Sequence, residues 1–121
     1  MSIKPEFVEK IFSGEKKFEY RKVIFGNPNV DTVVVYATKP CSKVVGEFKL
    51  NKILCNTPEK IWKDTWEFSG ISKEFFDEYF KDREKAYAIE IGDIVQYEHP
   101  LSLQEFDKSI KAAPQSFQYL N

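Results

Sequence analysis

At Gly14 the hydrophobic pattern changes period, and that change limits what this chain can become. Before it, Phe7, Val8, Ile11 and Phe12 recur at helical spacing, while Glu6, Glu9 and Lys10 take the opposite face. Pro5 suits the first turn of such a helix, where a missing N–H costs nothing. Gly14 suits its left-handed C-terminal cap. After it, Phe18 and Tyr20 alternate with Lys17, Glu19 and Arg21, the period-two pattern of a strand. A helix therefore hands the chain, through a fixed turn, to a strand with charges on one side. The parity of Lys16, at the turn itself, stays open. The run from Gly14 to Arg21 reads as the floor of a polar site.

The rest of the chain surrounds this run with strands. Ser2 to Lys4 forms a short strand ahead of the helix. Asp31 to Thr38, with Val33, Val34 and Val35, is a buried strand, reached through a Gly26–Asn29 loop. Lys43 to Leu54 continues as strand, with Gly46 marking a bulge or a close backbone approach. Thr57 and Pro58 start a second helix as N-cap and first helical residue. Trp66 to Gly70 interrupts the pattern. Ser72 caps a third helix, whose Phe75, Phe76, Tyr79 and Phe80 form an aromatic stripe read as packing. Lys85 to Tyr97 alternates, with Tyr87, Ile89 and Ile91 on one side. Ser102 to Phe106 is a helical turn, and Pro114 to Leu120 a closing strand. Strands interrupted by helices without a regular βαβ rhythm indicate an α+β fold or a small barrel with helices over its openings. At 121 residues the expectation is a single domain over residues 1–121.

Composition narrows the function. Eighteen basic and nineteen acidic residues argue against coating nucleic acid by bulk charge, though not against a locally basic pocket. Eleven Phe, six Tyr and two Trp exceed what a small core needs and leave rings for a binding surface. No apolar run is long enough to span a membrane and no leader pattern is present. Cys41 and Cys55 read as free thiols of a cytoplasmic protein. One His and two Cys without CxxC spacing make no zinc site, so no metal and no cofactor are expected. There is no GxSxG elbow and no phosphate-binding glycine loop.

The spacing Gly14-x-Lys16-x-x-Glu19-x-Arg21 resembles the GxKxxExR signature of the ASCH domain family. Ser2-Ile3-Lys4-Pro5, Tyr36-Ala37-Thr38, Val45-Gly46-Glu47-Phe48, the Trp66 to Ile71 loop and Pro114-Gln115-Ser116-Phe117 extend the similarity over nearly the whole chain. The resemblance implies an α+β, PUA-like fold, a small mixed β-barrel flanked by helices with a cleft lined by the motif, and RNA or a nucleotide as ligand. Members have been proposed as regulators of translation or transcription, and some are enzymes, an amidohydrolase on a modified cytidine and a ribonuclease among them. For the amidohydrolase type it implies a catalytic Lys at Lys16 and an acid near Glu67. The hydroxyl residue of that type is replaced here by Glu19.

The residues allow the same chemistry independently. Arg21 offers a planar fork for a phosphate or carboxylate, or for Glu19. Lys16 would lose basicity if desolvated beside Arg21, and could then act as base or nucleophile. The plain alternative is a solvated strand face with surface pairs worth about 0–1 kcal/mol. Lys4, Thr38 and Lys39 could extend a basic wall. Trp66, Tyr87 and Phe117 could stack on bases, with core packing as the alternative for each. The leading expectation is an RNA- or nucleotide-binding module using Lys4, Lys16, Glu19, Arg21, Thr38, Lys39, Trp66, Tyr87 and Phe117. The second is a hydrolase on a modified nucleoside or RNA using Lys16 with Glu19 or Glu67. The third is a protein-interaction domain in which the motif is scaffold. Oligomeric state is not legible.

Overall fold

A computed structural model describes residues 1–26, 29–106 and 118–119. The elements run β1 (Ser2–Ile3), α1 (Pro5–Ser13), β2 (Phe18–Arg21), β3 (Thr32–Ala37), β4 (Lys43–Asn56), α2 (Pro58–Thr65), a 3-10 turn (Trp66–Phe68), α3 (Lys73–Tyr79), β5 (Ala86–Leu101) and β6 (Gln118–Tyr119). The strand from Pro114 to Leu120 is seen as β6 alone; the rest of that segment, Phe117 included, lies outside the described residues, as do residues 27 and 28 of the Gly26–Asn29 loop.

The helix signals act as the sequence predicts. Pro5 opens α1, and Gly14 closes it at φ 85°, its N–H donating to Ile11 O. Thr57 and Ser72 cap α2 and α3 by accepting from Lys60 N and Phe75 N. At residues 102–105 Ser102 and Glu105 exchange both bonds of a capping box, which seats Phe106 in the core.

One mixed sheet orders its strands β1-β3-β4-β5-β2, with β6 also on β3. β1 and β6 run parallel to β3; the other pairs are antiparallel. β3 is an interior strand and its Val33, Val34 and Val35 are fully buried on both faces, which is why it reads as a continuous apolar run. Bulges in β4, between Val44 and Gly46 and again around Leu50, bend the two long strands. At Gly46 a Cβ would stand 2.5 Å from Val95 O and 2.7 Å from Phe12 Cζ, so the close approach is real.

The bend brings the two ends of the strand order, β1 and β2, face to face. No backbone ladder joins them among the described residues. Arg21 crosses the seam instead, donating from Nη2 to Ser2 O at 2.9 Å. The α+β architecture is as expected, and the barrel is a curled sheet whose last seam is closed by a side chain.

Two apolar clusters support this seam. Val8 and Ile11 of α1 pack with Ile3, Val33, Val35, Phe48, Ile89 and Ile91. On the other side of β5, Ala86 and Ala88 meet Tyr20, Ile61, Phe76 and Phe80. Thus β5 is buried on alternate faces by different partners, and its small alanines admit the α3 rings. The Phe76 ring lies 5.0 Å from Tyr20 and 4.7 Å from Phe80, at edge-to-face and tilted angles.

Candidate functional site

The site follows from how β2 starts. Past the Gly14 cap, Lys16 N donates to Lys10 O, Lys17 N to Phe68 O and Ile91 N to Lys17 O. These bonds pin the turn between α1, the 3-10 turn and β5. Lys16 is thereby swung inward, and only 2% of it remains exposed. Its Nζ donates to Ser69 O at 2.6 Å and stands 3.7 Å from Glu19 Oε1. The rings of Tyr20 and Phe7 flank it at 4.9 and 5.6 Å. Glu19 Oε2 in turn meets Arg21 Nη2 at 3.1 Å. Two cations share one carboxylate, so the solvated-face alternative does not describe this strand: Glu19 is only 8% exposed.

Burial pulls Lys16 down to about 8, against the upward pull of the Glu19 carboxylate. Tyr20 makes a structural chain. Thr65 Oγ1 donates to Ile61 O at 2.6 Å, so Tyr20 OH must be the donor to Thr65 Oγ1 at 2.7 Å. Arg21 is less completely used. Its Nη2 is doubly engaged, but its buried Nε has no hydrogen-bond partner among the described residues. Such an orphan donor is costly in a finished core.

These groups line an open cleft of about 140 Å³ between β1, β2 and α3. Lys4, Lys16, Glu19 and Arg21, all singled out in the sequence, meet there. The others do not. Thr38 and Lys39 follow β3 beside β1, where Thr38 N donates to Ile3 O, but neither lines the cleft. Trp66 is half exposed on the 3-10 turn, and Glu67 is exposed beside it; neither lines the cleft. Tyr87 stands opposite Arg21 in the β2–β5 ladder and lines a separate recess.

Three contributors were missed. Phe75 and Tyr79 belong to the stripe read as packing, but only Phe76 and Phe80 are core. Phe75 is 38% exposed in the cleft wall, edge-on to Phe7 at 5.3 Å and beneath Lys4 Nζ at 5.3 Å. At helical spacing Phe75 and Tyr79 form one edge of the stripe and Phe76 and Phe80 the other, about 100° apart, and packing buries the second edge more deeply. The third is Gly70. It holds φ 67°, and a Cβ there would stand 2.5–2.9 Å from the Lys16 Cβ, Cγ and Cδ atoms. Its carbonyl also accepts from Lys10 Nζ at 3.2 Å. Gly70→Ala is expected to lower stability by about 1–2 kcal/mol from the left-handed backbone alone, and to displace Lys16. Thermal melts check this; a variant that melts like the parent would show that the loop yields freely.

The family model described as ASCH domain matches residues 1–95. The chain belongs to the ASCH domain family. An ASCH domain-containing ribonuclease of Zymomonas mobilis is 31% identical over 99% of this chain and 82% of its own length. The crystal structure of ASCH from Zymomonas mobilis superposes with a TM-score of 0.82 at 28% identity, covering all of this chain and 85% of that one. The large ribosomal subunit protein uL22 of Ureaplasma parvum is 36% identical over 88 residues, 73% of this chain. The chain spans only 28% of that curated relative's length.

Among the described residues of this ASCH domain no group of three His, Cys, Asp or Glu side chains is placed to hold a metal, and no helix is long and apolar enough to cross a membrane. Cys41 and Cys55 are free and exposed.

Proposed function

We propose that this ASCH domain binds RNA, or a single nucleotide, in the cleft at the β1–β2 seam. The observation that carries the proposal is the Arg21 guanidinium, clamped at Nη2. The part of the Arg21 side chain that stays exposed, 19%, lines the cleft and suits a phosphate or base-edge oxygen. Lys16 adds a second cation and Lys4 a third at the mouth, while Phe75 and Tyr79 offer flat faces for a base. Glu19 orients both inner cations and can accept from a base amino group. Any control of translation or transcription would act through occupancy of this cleft.

The pH dependence follows from Lys16. Below pH 8 the cleft floor carries two cations against one carboxylate; above it Lys16 loses its proton and the floor becomes neutral. Affinity for a nucleotide is therefore expected to fall as pH rises through about 8, as titration calorimetry would measure. An affinity flat from pH 6 to about 9 would remove Lys16 from the contact set.

The ribonuclease relative favours a second reading, in which the bound RNA is cleaved. The 2′-oxygen would attack phosphorus and O5′ would leave, giving a 2′,3′-cyclic phosphate and a 5′-hydroxyl. Glu19 would take the 2′-proton, and the Lys16 ammonium would give one to O5′, a task that suits its lowered pKa. Arg21 would hold the phosphorane oxygens. Incubation with unstructured RNA tests this by product analysis. Glu67→Gln is expected to leave any cleavage intact, since Glu67 does not line the cleft, whereas Glu19→Gln abolishes it. Absence of turnover in the parent would leave binding alone.

A further inference from the structure

The cleft does not end at Arg21. Arg21 and Tyr79 also line a second recess of about 250 Å³, together with Lys22 and Arg83. Lys22, Val23 and Arg83 continue into a third of about 430 Å³, where Lys85 and Tyr87 join them. The inner recess carries three cations, Arg21, Lys22 and Arg83, and no carboxylate in its lining. Asp82 and Glu84 enter only in the outer one. Among the described residues no carboxylate lies within ion-pair distance of Lys22, Arg83 or Lys85. By contrast, Lys60 and Lys73 on the helices are paired with Asp64 and Asp77.

Flat rings alternate with these cations. Lys22 Nζ sits 4.8 Å from the Tyr79 ring centroid, and Tyr87 stands opposite Arg21 in the ladder. The turn that carries Arg83 is fixed, because Arg83 N donates to Phe80 O and Asp82 holds φ 62°. Val23, 70% exposed, forms an apolar edge. Cations spaced along a track with interleaved rings are what a single strand requires, phosphates on the charges and bases on the faces.

We propose that this groove is the exit track for single-stranded RNA, with successive phosphates on Lys22, Arg83 and Lys85 and Tyr87 as a stacking platform. The inference rests on the RNA-binding reading above and extends it from one nucleotide in the cleft to a strand of defined path. It also explains how a nearly neutral protein can hold a polyanion: the charge is local.

The test compares a mononucleotide with a single-stranded RNA of about eight nucleotides, on the parent and on Lys22→Gln/Arg83→Gln/Lys85→Gln. All three side chains reach solvent, and a thermal melt confirms that the variant is folded. The octamer is expected to bind the variant at least about tenfold more weakly, and its log–log salt slope to fall by about 2. Mononucleotide binding should change less than about twofold, as only the cleft is used. Unchanged octamer affinity and slope, with mononucleotide binding intact, would overturn the track and leave the cleft standing. An acidic peptide that displaces the octamer from the groove as well as unlabelled RNA does would overturn RNA as its occupant. If the parent binds neither nucleotide nor octamer, the RNA reading itself fails and takes the track with it.

Discussion

Glu19→Ala is expected to destabilise the protein by about 3–5 kcal/mol, the range for stripping the counter-charge from a buried pair. Glu19 lies between Lys16 Nζ at 3.7 Å and Arg21 Nη2 at 3.1 Å, and both its partners are largely shielded from water. Without it, two cations on the β2 side of the seam are left with no counter-charge between them. Lys16 would respond by shedding its proton, since Glu19 is what holds its pKa up against burial. Stability of the variant should therefore climb with pH below 8 more steeply than that of the parent, whose own rise there comes from the buried Met1 amino group, lowered to about 5 by desolvation. Adding Lys16→Met to Glu19→Ala should restore much of the loss, because it removes the uncompensated ammonium. Denaturant melts of the cycle decide the matter. Equal losses in single and double variants would mean that Glu19 acts by packing rather than by charge.

Lys16→Met should behave oppositely: little or no loss of stability at pH 7, with loss of ligand binding. The unfolded chain keeps the Lys16 proton up to pH 10.5, the native protein only to about 8. Between those values the unfolded state binds more protons, so parent stability rises with pH across this window. Below it, the buried ammonium costs the native state about 3 kcal/mol. Methionine removes that cost and gives up the bond to Ser69 O, worth about 1 kcal/mol. The rise between pH 8 and 10 should vanish in the variant. Above pH 10 Tyr20 reverses the trend, as burial pushes its hydroxyl up to about 12 and its proton is then held more tightly when folded. A steep loss of stability in Lys16→Met at pH 7 would show that Lys16 is structural and not held at a cost for function.

Local signals were readable in the chain. Pro5, Gly14, Thr57, Pro58 and Ser72 set their helix ends because caps depend on neighbours a few residues apart. The valine run marked a strand buried on both faces, since burial removes the need for alternation. The motif spacing brought Lys16, Glu19 and Arg21 to one site. The wider candidates scattered. Trp66 stayed on the surface, and Thr38 and Lys39 follow β3 without lining the cleft, because sequence order does not say which side chains a curled sheet turns into it.

What the sequence determined by itself was the helix, the Gly14 turn and a strand with charges on alternate residues. Tertiary structure alone decided that this strand is an edge facing β1, so that its charged side closes a seam and is not solvated. It alone decided the burial of Lys16, through Gly70 and Ser69 more than fifty positions away. It turned Phe75 outward while Phe76 stayed inside. The physical reason is the same in each case. Dielectric environment and counter-charge are set by what packs over a group, and those atoms come from distant parts of the chain.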